Sequence, residues 1–160
     1  MLPPIQPNAA PRLWFEDLHV GQCFVTEAHA LDAAQIVAFA QVFDPQPFHL
    51  DDAQAQETLF GGLAASGWHT AAITMRLLVS SGPNFAGGII GSGGKLTWSQ
   101  PVRADDVLRV VVEILELTPS RSRPERGTVV IRVETRNQRD EIVQVFTPKL
   151  VVPRRLSGEE

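Results

Sequence analysis

Cysteine is nearly absent: Cys23 stands alone in 160 residues, so no intrachain disulfide framework is available to hold a fold together. Positive charge is scarce too. Fourteen Lys and Arg against 18 Asp and Glu leave a formal net charge of −4. That argues against a nucleic-acid partner, which needs a basic face, although a local Arg or Lys cluster can still bind a phosphate on an acidic protein. Long apolar runs are missing. The best, near Ala71–Val79, carries Arg76 and is too short to cross a bilayer, so no membrane partner is expected. The first residues lack the basic and apolar regions of a secretory leader. They hold four prolines instead, Pro3, Pro4, Pro7 and Pro11, and read as an extended arm. A reducing cytoplasm is the simplest compartment on these grounds.

Several chemistries lack their usual residues. Ala64-Ala65-Ser66-Gly67 does not contain the Gly-x-Ser-x-Gly elbow of a serine nucleophile. The glycines at 87, 88, 91, 93 and 94 lack the Lys-Ser/Thr ending of a phosphate loop. They read as a strand or bulge passing close to something bulky. His49, Asp51 and Asp52 have no second histidine at ligand spacing, so no metal and no other cofactor is expected.

What is present is an ordinary globular composition, 44% hydrophobic and 20% charged. Its length suits one domain with a real core. The expected organisation is an arm over 1–12, a single domain over 13–153 and a polar tail over 154–160. Gln22–His29 alternates loosely and reads as a strand. Asp32 is placed to cap a helix carrying Ile36, Val37, Phe39, Ala40 and Phe43 at helical spacing. Asp44-Pro45-Gln46-Pro47 must end it. A loop with short helical turns follows to Leu63. Trp68–Ser80 is apolar on nearly every side, the mark of a buried helix, and Gly82-Pro83 stops it. Ile89–Gln100, Val107–Leu117, Thr128–Arg136 and Glu141–Val152 read as strands, with a polar hairpin loop over Ser120–Gly127. Successive strands joined by short polar loops favour an antiparallel sheet. One sheet on one buried helix is an α+β architecture, and Cys23 is expected to be a small core residue of the first strand.

The segment Phe43-Asp44-Pro45-Gln46-Pro47-Phe48-His49 is the most unusual in the chain. Its prolines stiffen a helix end, lowering the entropy cost of holding two polar groups in fixed geometry. An Asp and a His on such a turn can both address one water and divide a proton transfer between them. The competing reading is a backbone-capping Asp44 and a partly buried turn histidine. Ser66-Gly67 precedes the long helix, where backbone N–H groups lack partners and carry partial positive charge. Gly67 would let a carbonyl oxygen approach those donors, while Ser66 also reads simply as an N-cap. His69, one turn on, is expected to pack or hydrogen-bond beneath the site.

With these residues in hand, the chain resembles the MaoC-like dehydratases, the family of (R)-specific enoyl-CoA hydratases. Asp44-Pro-Gln-Pro-Phe-His49 is similar to the family's Asp-x-Asn-Pro-x-His motif. Gly67 ahead of a long apolar helix, Leu96-Thr-Trp-Ser-Gln-Pro-Val102 with Asp105-Asp106, and the opening Phe15-Glu-Asp-Leu-His-Val-Gly21 support the likeness over about Phe15–Val152. The resemblance implies a hotdog fold: a curved antiparallel sheet wrapped around a central helix. It places the catalytic pair on Asp44 and His49 and the carbonyl-polarising N–H on Gly67. It also implies an acyl-CoA or acyl-carrier thioester substrate and a homodimer or higher homo-oligomer. Gln46 stands where the motif has Asn, and Ser66 stands where many members have His. Both are supporting candidates with His69. Hydration of a 2-enoyl thioester is the leading expectation. A hotdog thioesterase and a non-catalytic acyl-binding module are the alternatives. For the phosphates of CoA the candidates are the arginines of the 121–126 loop, Arg76 and Lys95.

Overall fold

The computed structural model describes residues 2–155, so residues 156–160 of the expected tail lie outside the described residues. The first strand, β1 (Cys23–Ala30), lies one residue from its expected bounds. The Asp32 carboxylate accepts the Gln35 N–H at 2.8 Å and caps α1 (Ala33–Phe43) as expected. The Asp-Pro-Gln-Pro run then breaks the chain into two single turns, α2 (Pro47–Leu50), opened by Pro47, and α3 (Asp52–Gln56), capped by Asp51. The long helix is α4 (Gly67–Ser81). Four strands follow: β2 (Gly91–Trp98), β3 (Val107–Pro119), β4 (Arg126–Arg136) and β5 (Ile142–Pro153).

The strands form one antiparallel sheet in the order β1-β3-β4-β5-β2. Period-two alternation sends Val129, Ile131 and Val133 of β4 inward and leaves Val130 and Arg132 on the other face. The inward face meets Ile73, Leu77 and Leu78 of α4 in a single apolar cluster with Val110, Val112 and Ile114. Each such burial contributes roughly 1.5–3 kcal/mol relative to exposure. This sheet around one helix is the hotdog arrangement.

Two expectations need correction. The helix is not buried on every side. Its inner face carries His69, Thr70, Ile73, Thr74, Leu77 and Leu78, whereas Trp68 and Val79 are 61% and 48% exposed. Five strands cover one flank of a helix, and apolar composition alone does not reveal which flank stays open. Cys23 is in the expected strand but on its open face, with Sγ against the Gly21 carbonyl. The expected close approach of the glycine run is found at Gly94, where the bulky neighbours belong to the adjoining strand β5. A Cβ on Gly94 would fall 2.7 Å from Pro148 Cα and 2.9 Å from the Phe146 ring.

Candidate active site

Asp44 is the C-cap of α1, and His49 lies in the single turn α2. The Gln46 N–H closes a tight turn on the Asp44 carbonyl at 2.7 Å, and the His49 N–H bonds the Gln46 carbonyl. The two prolines restrict the backbone between them. The turn brings His49 Nε2 within 3.3 Å of Asp44 Oδ2.

The imidazole is 4% exposed. Its Nδ1 lies 2.6 Å from the Ala64 carbonyl oxygen. A carbonyl only accepts, so Nδ1 bears hydrogen and Nε2 is the nitrogen left to exchange a proton. Phe48 meets the ring edge-on, at 4.6 Å between centroids. Arg103 donates to the Phe60, Gly62 and Leu63 carbonyls, which fixes the loop that brings Phe60 beside the site.

Both oxygens of Asp44 are engaged. Ser66 Oγ donates to Oδ2 at 2.7 Å, and Gln46 Nε2 donates to Oδ1 at 2.7 Å. Partial burial opposes ionisation. The hydrogen bonds from Ser66 and Gln46, together with the His49 imidazole, outweigh it and hold the carboxyl below its usual range. Gln46 therefore still reaches the carboxylate where the motif has Asn.

Ser66 is fully buried and also accepts the Trp68 N–H at 3.3 Å, so it caps α4 as expected. Gly67 is the first residue of α4. Its own N–H has no hydrogen-bond partner among the described residues. The Trp98 indole lies against Gly67 so closely that a Cβ would run into the ring, which explains the glycine independently of chemistry.

Asp44, Gln46, His49 and Gly67 share a cavity of about 560 Å³ walled by Phe48, Phe60, Trp68 and the run Trp98–Val102. None of Arg76, Lys95 and the arginines of the 121–126 loop lines it. Arg76 instead donates to the Pro3 carbonyl, at a larger cavity of about 800 Å³ between the N-terminal arm, β1 and α4. Size alone favours that second cavity. Its Glu27 and His29 make no carboxylate–imidazole contact among the described residues, so chemistry favours the smaller one.

His69 does not reach this cavity. It stacks on Phe39 at 4.5 Å with the rings 6° from parallel, and its Nδ1 has no partner among the described residues. Burial, with His29 nearby, pushes its pKa down to about 4. Of the two expected roles, packing or hydrogen bonding, it takes the first. Asp51 and Asp52 are spent on the backbone N–H groups of Gln54 and Leu63.

Trp98 and Gln144 were not singled out from the sequence as site residues. The Trp98 N–H donates to the Gly67 carbonyl and to Gln144 Oε1. The only signal was a tryptophan ending a glycine-rich strand, and nothing local pairs it with a glutamine 46 residues away.

The family model described as MaoC like domain matches residues 18–138. A crystal structure of the MaoC-like dehydratase from Rhodospirillum rubrum superposes with a TM-score of 0.88 at 57% identity, covering 90% of this chain and 99% of that one. The uncharacterized protein YdeM of Bacillus subtilis is 35% identical over 140 residues, 86% of this chain and 95% of the relative. The 3-hydroxybutyryl-CoA dehydratase of Methylorubrum extorquens is 34% identical over 112 residues, 69% of each chain.

Proposed function

The chain belongs to the MaoC-like family, and on that premise we propose that it adds water reversibly to a trans-2-enoyl-CoA, giving an (R)-3-hydroxyacyl-CoA. The observation that carries this reading is the 3.3 Å approach of His49 Nε2 to Asp44 Oδ2 in a cavity that Gly67, the first residue of α4, also lines. The likeness to a 3-hydroxybutyryl-CoA dehydratase supports the substrate class.

The proposed chemistry uses one water. Asp44, held as a carboxylate by Ser66 and Gln46, accepts a hydrogen bond and orients the water. With Nδ1–H committed to the Ala64 carbonyl, His49 Nε2 is the ring nitrogen that takes a proton as the water oxygen bonds to C3. The C2–C3 π electrons move toward the thioester oxygen, which the Gly67 N–H stabilises. Nε2 then returns the proton to C2, and the enolate collapses to the saturated thioester. Asp44 stabilises the imidazolium formed in between. Atoms and charge balance with no group beyond the chain itself. Proton and hydroxyl come from one side, so addition is syn. The (R) hand rests on the family resemblance.

We also propose that a second copy covers the open flank. β2 is an edge strand with only Leu96 partly buried. Trp68 and Met75 of α4 are exposed beside it, Val79 is exposed further along the same helix, and apolar margins next to an edge strand invite pairing. Phosphate-binding cations are then sought outside the cavity or on the partner.

Hydration removes the enoyl chromophore without releasing thiol. Following both signals over a panel of enoyl-CoAs tests the reading, because a thioesterase gives free thiol and a binding module gives neither change.

A further inference from the structure

Trp98 closes β2 beside the first residue of α4 and is held from behind. Its indole N–H donates to Gly67 O at 3.1 Å and to Gln144 Oε1 at 3.0 Å. Gln144 is 1% exposed, and its Nε2 donates to Thr74 Oγ1 at 3.0 Å. Thr74 Oγ1 lies 2.6 Å from Thr135 Oγ1 and donates to the Thr70 carbonyl at 2.8 Å. With Thr135 as donor to Thr74, both hydroxyls in this buried chain are used.

Burying a glutamine and two threonines under an apolar sheet is costly unless each polar group is matched. Packing a tryptophan against a glycine needs none of them. What the chain of bonds achieves is direction: it fixes the indole plane, and the indole fixes Gly67 from its carbonyl side. On the other side Ser66 Oγ ties the same helix end to Asp44. A glycine has the freest backbone of any residue, and a hydrogen-bond donor stabilises developing charge only when aimed at the oxygen.

We infer that Trp98, oriented by Gln144, is a positioning residue that holds the Gly67 N–H in line with the thioester carbonyl. The inference rests on the reading of Gly67 given above. It makes Trp98 a member of the kinetic machinery, where a plain wall residue would only bind substrate. Gln144 acts through Trp98, and neither touches the reacting carbons.

The test uses the full chain with Trp98→Phe, which keeps a ring near Gly67 and removes the N–H, and with Gln144→Met, which removes the acceptor behind the indole. Misplacement by a fraction of an ångström predicts a kcat about tenfold lower for Trp98→Phe, with KM within about twofold. The pH profile should keep its shape because Asp44 and His49 are untouched. Gln144→Met should shift kcat the same way by a smaller factor. A second readout needs no turnover: backbone ¹⁵N relaxation of the Gly67 amide should show lost order in Trp98→Phe, with Gly127 as an unaffected internal reference. Unchanged kcat in an active enzyme overturns the inference, and so does a raised KM with kcat intact, the signature of a wall. Unchanged order at Gly67 overturns it whether or not the protein turns over. If wild type hydrates no enoyl-CoA, the proposed function fails by itself, and the relaxation measurement still decides whether Trp98 holds Gly67.

Discussion

Ser66 Oγ donates to Asp44 Oδ2 at 2.7 Å and accepts the Trp68 N–H at 3.3 Å, so one hydroxyl joins the end of α1 to the start of α4. Ser66→Ala breaks both bonds at once. Loss of the cap should cost about 1 kcal/mol of stability. The carboxylate then loses one of its two uncharged donors, and kcat should fall by about tenfold, in the range of a positioned hydrogen bond to a charge. Thermal melting and steady-state kinetics on the same sample measure the two effects separately. A melting shift with kcat intact would confine Ser66 to capping.

Asp44→Asn and His49→Gln should each lower kcat by on the order of a hundredfold or more while leaving the fold intact. Because Asp44 orients the water that His49 deprotonates, the double variant should be little worse than either single one. Near wild-type turnover in either variant, measured by loss of the enoyl chromophore, would remove that residue from the chemistry.

His69 should make the protein acid-sensitive above the carboxylate range. Its pKa is depressed to about 4 in the folded chain, while an unfolded histidine titrates near its ordinary 6.5. Between those values the unfolded chain binds the extra proton, so stability is full above about pH 6.5 and falls as pH drops toward 4. The limiting slope is about 1.4 kcal/mol per pH unit for one group. His69→Phe should flatten the denaturant midpoint between pH 6.5 and 5 relative to wild type. Parallel curves for the two proteins would show that His69 does not carry the slope.

Light scattering at micromolar concentration should give the mass of a dimer or a larger homo-oligomer. Trp68→Lys and Val79→Lys, which charge the open flank of α4, should shift the protein toward monomer. A wild-type monomer would leave that flank without its proposed cover.

The fold was legible because its signals are local. Asp32 caps α1, the two prolines break it, and β4 alternates with period two, so elements and boundaries followed from neighbours in sequence. The turn holding Asp44 and His49 was readable for the same reason. What escaped depends on residues far apart in the chain. No pattern within Trp68–Ser81 says that five strands leave Trp68, Met75 and Val79 uncovered. No spacing links Trp98 to Gln144, or tells that His69 stacks on Phe39 with an unsatisfied nitrogen. Cys23 was misplaced because a loosely alternating edge strand does not declare which face is inside.

Syn hydration by Asp44, His49 and Gly67 leaves its signature in the hand of the product. Its most direct measurement supplies a trans-2-enoyl-CoA to the wild-type chain and couples the product to dehydrogenases specific for each 3-hydroxyacyl enantiomer, with thiol release followed in parallel. The wild-type chain should give an (R)-3-hydroxyacyl-CoA with no free thiol, and Asp44→Asn should lose the signal. A predominantly (S) product, or thiol released while no hydroxyacyl product forms, would contradict the proposed hydration.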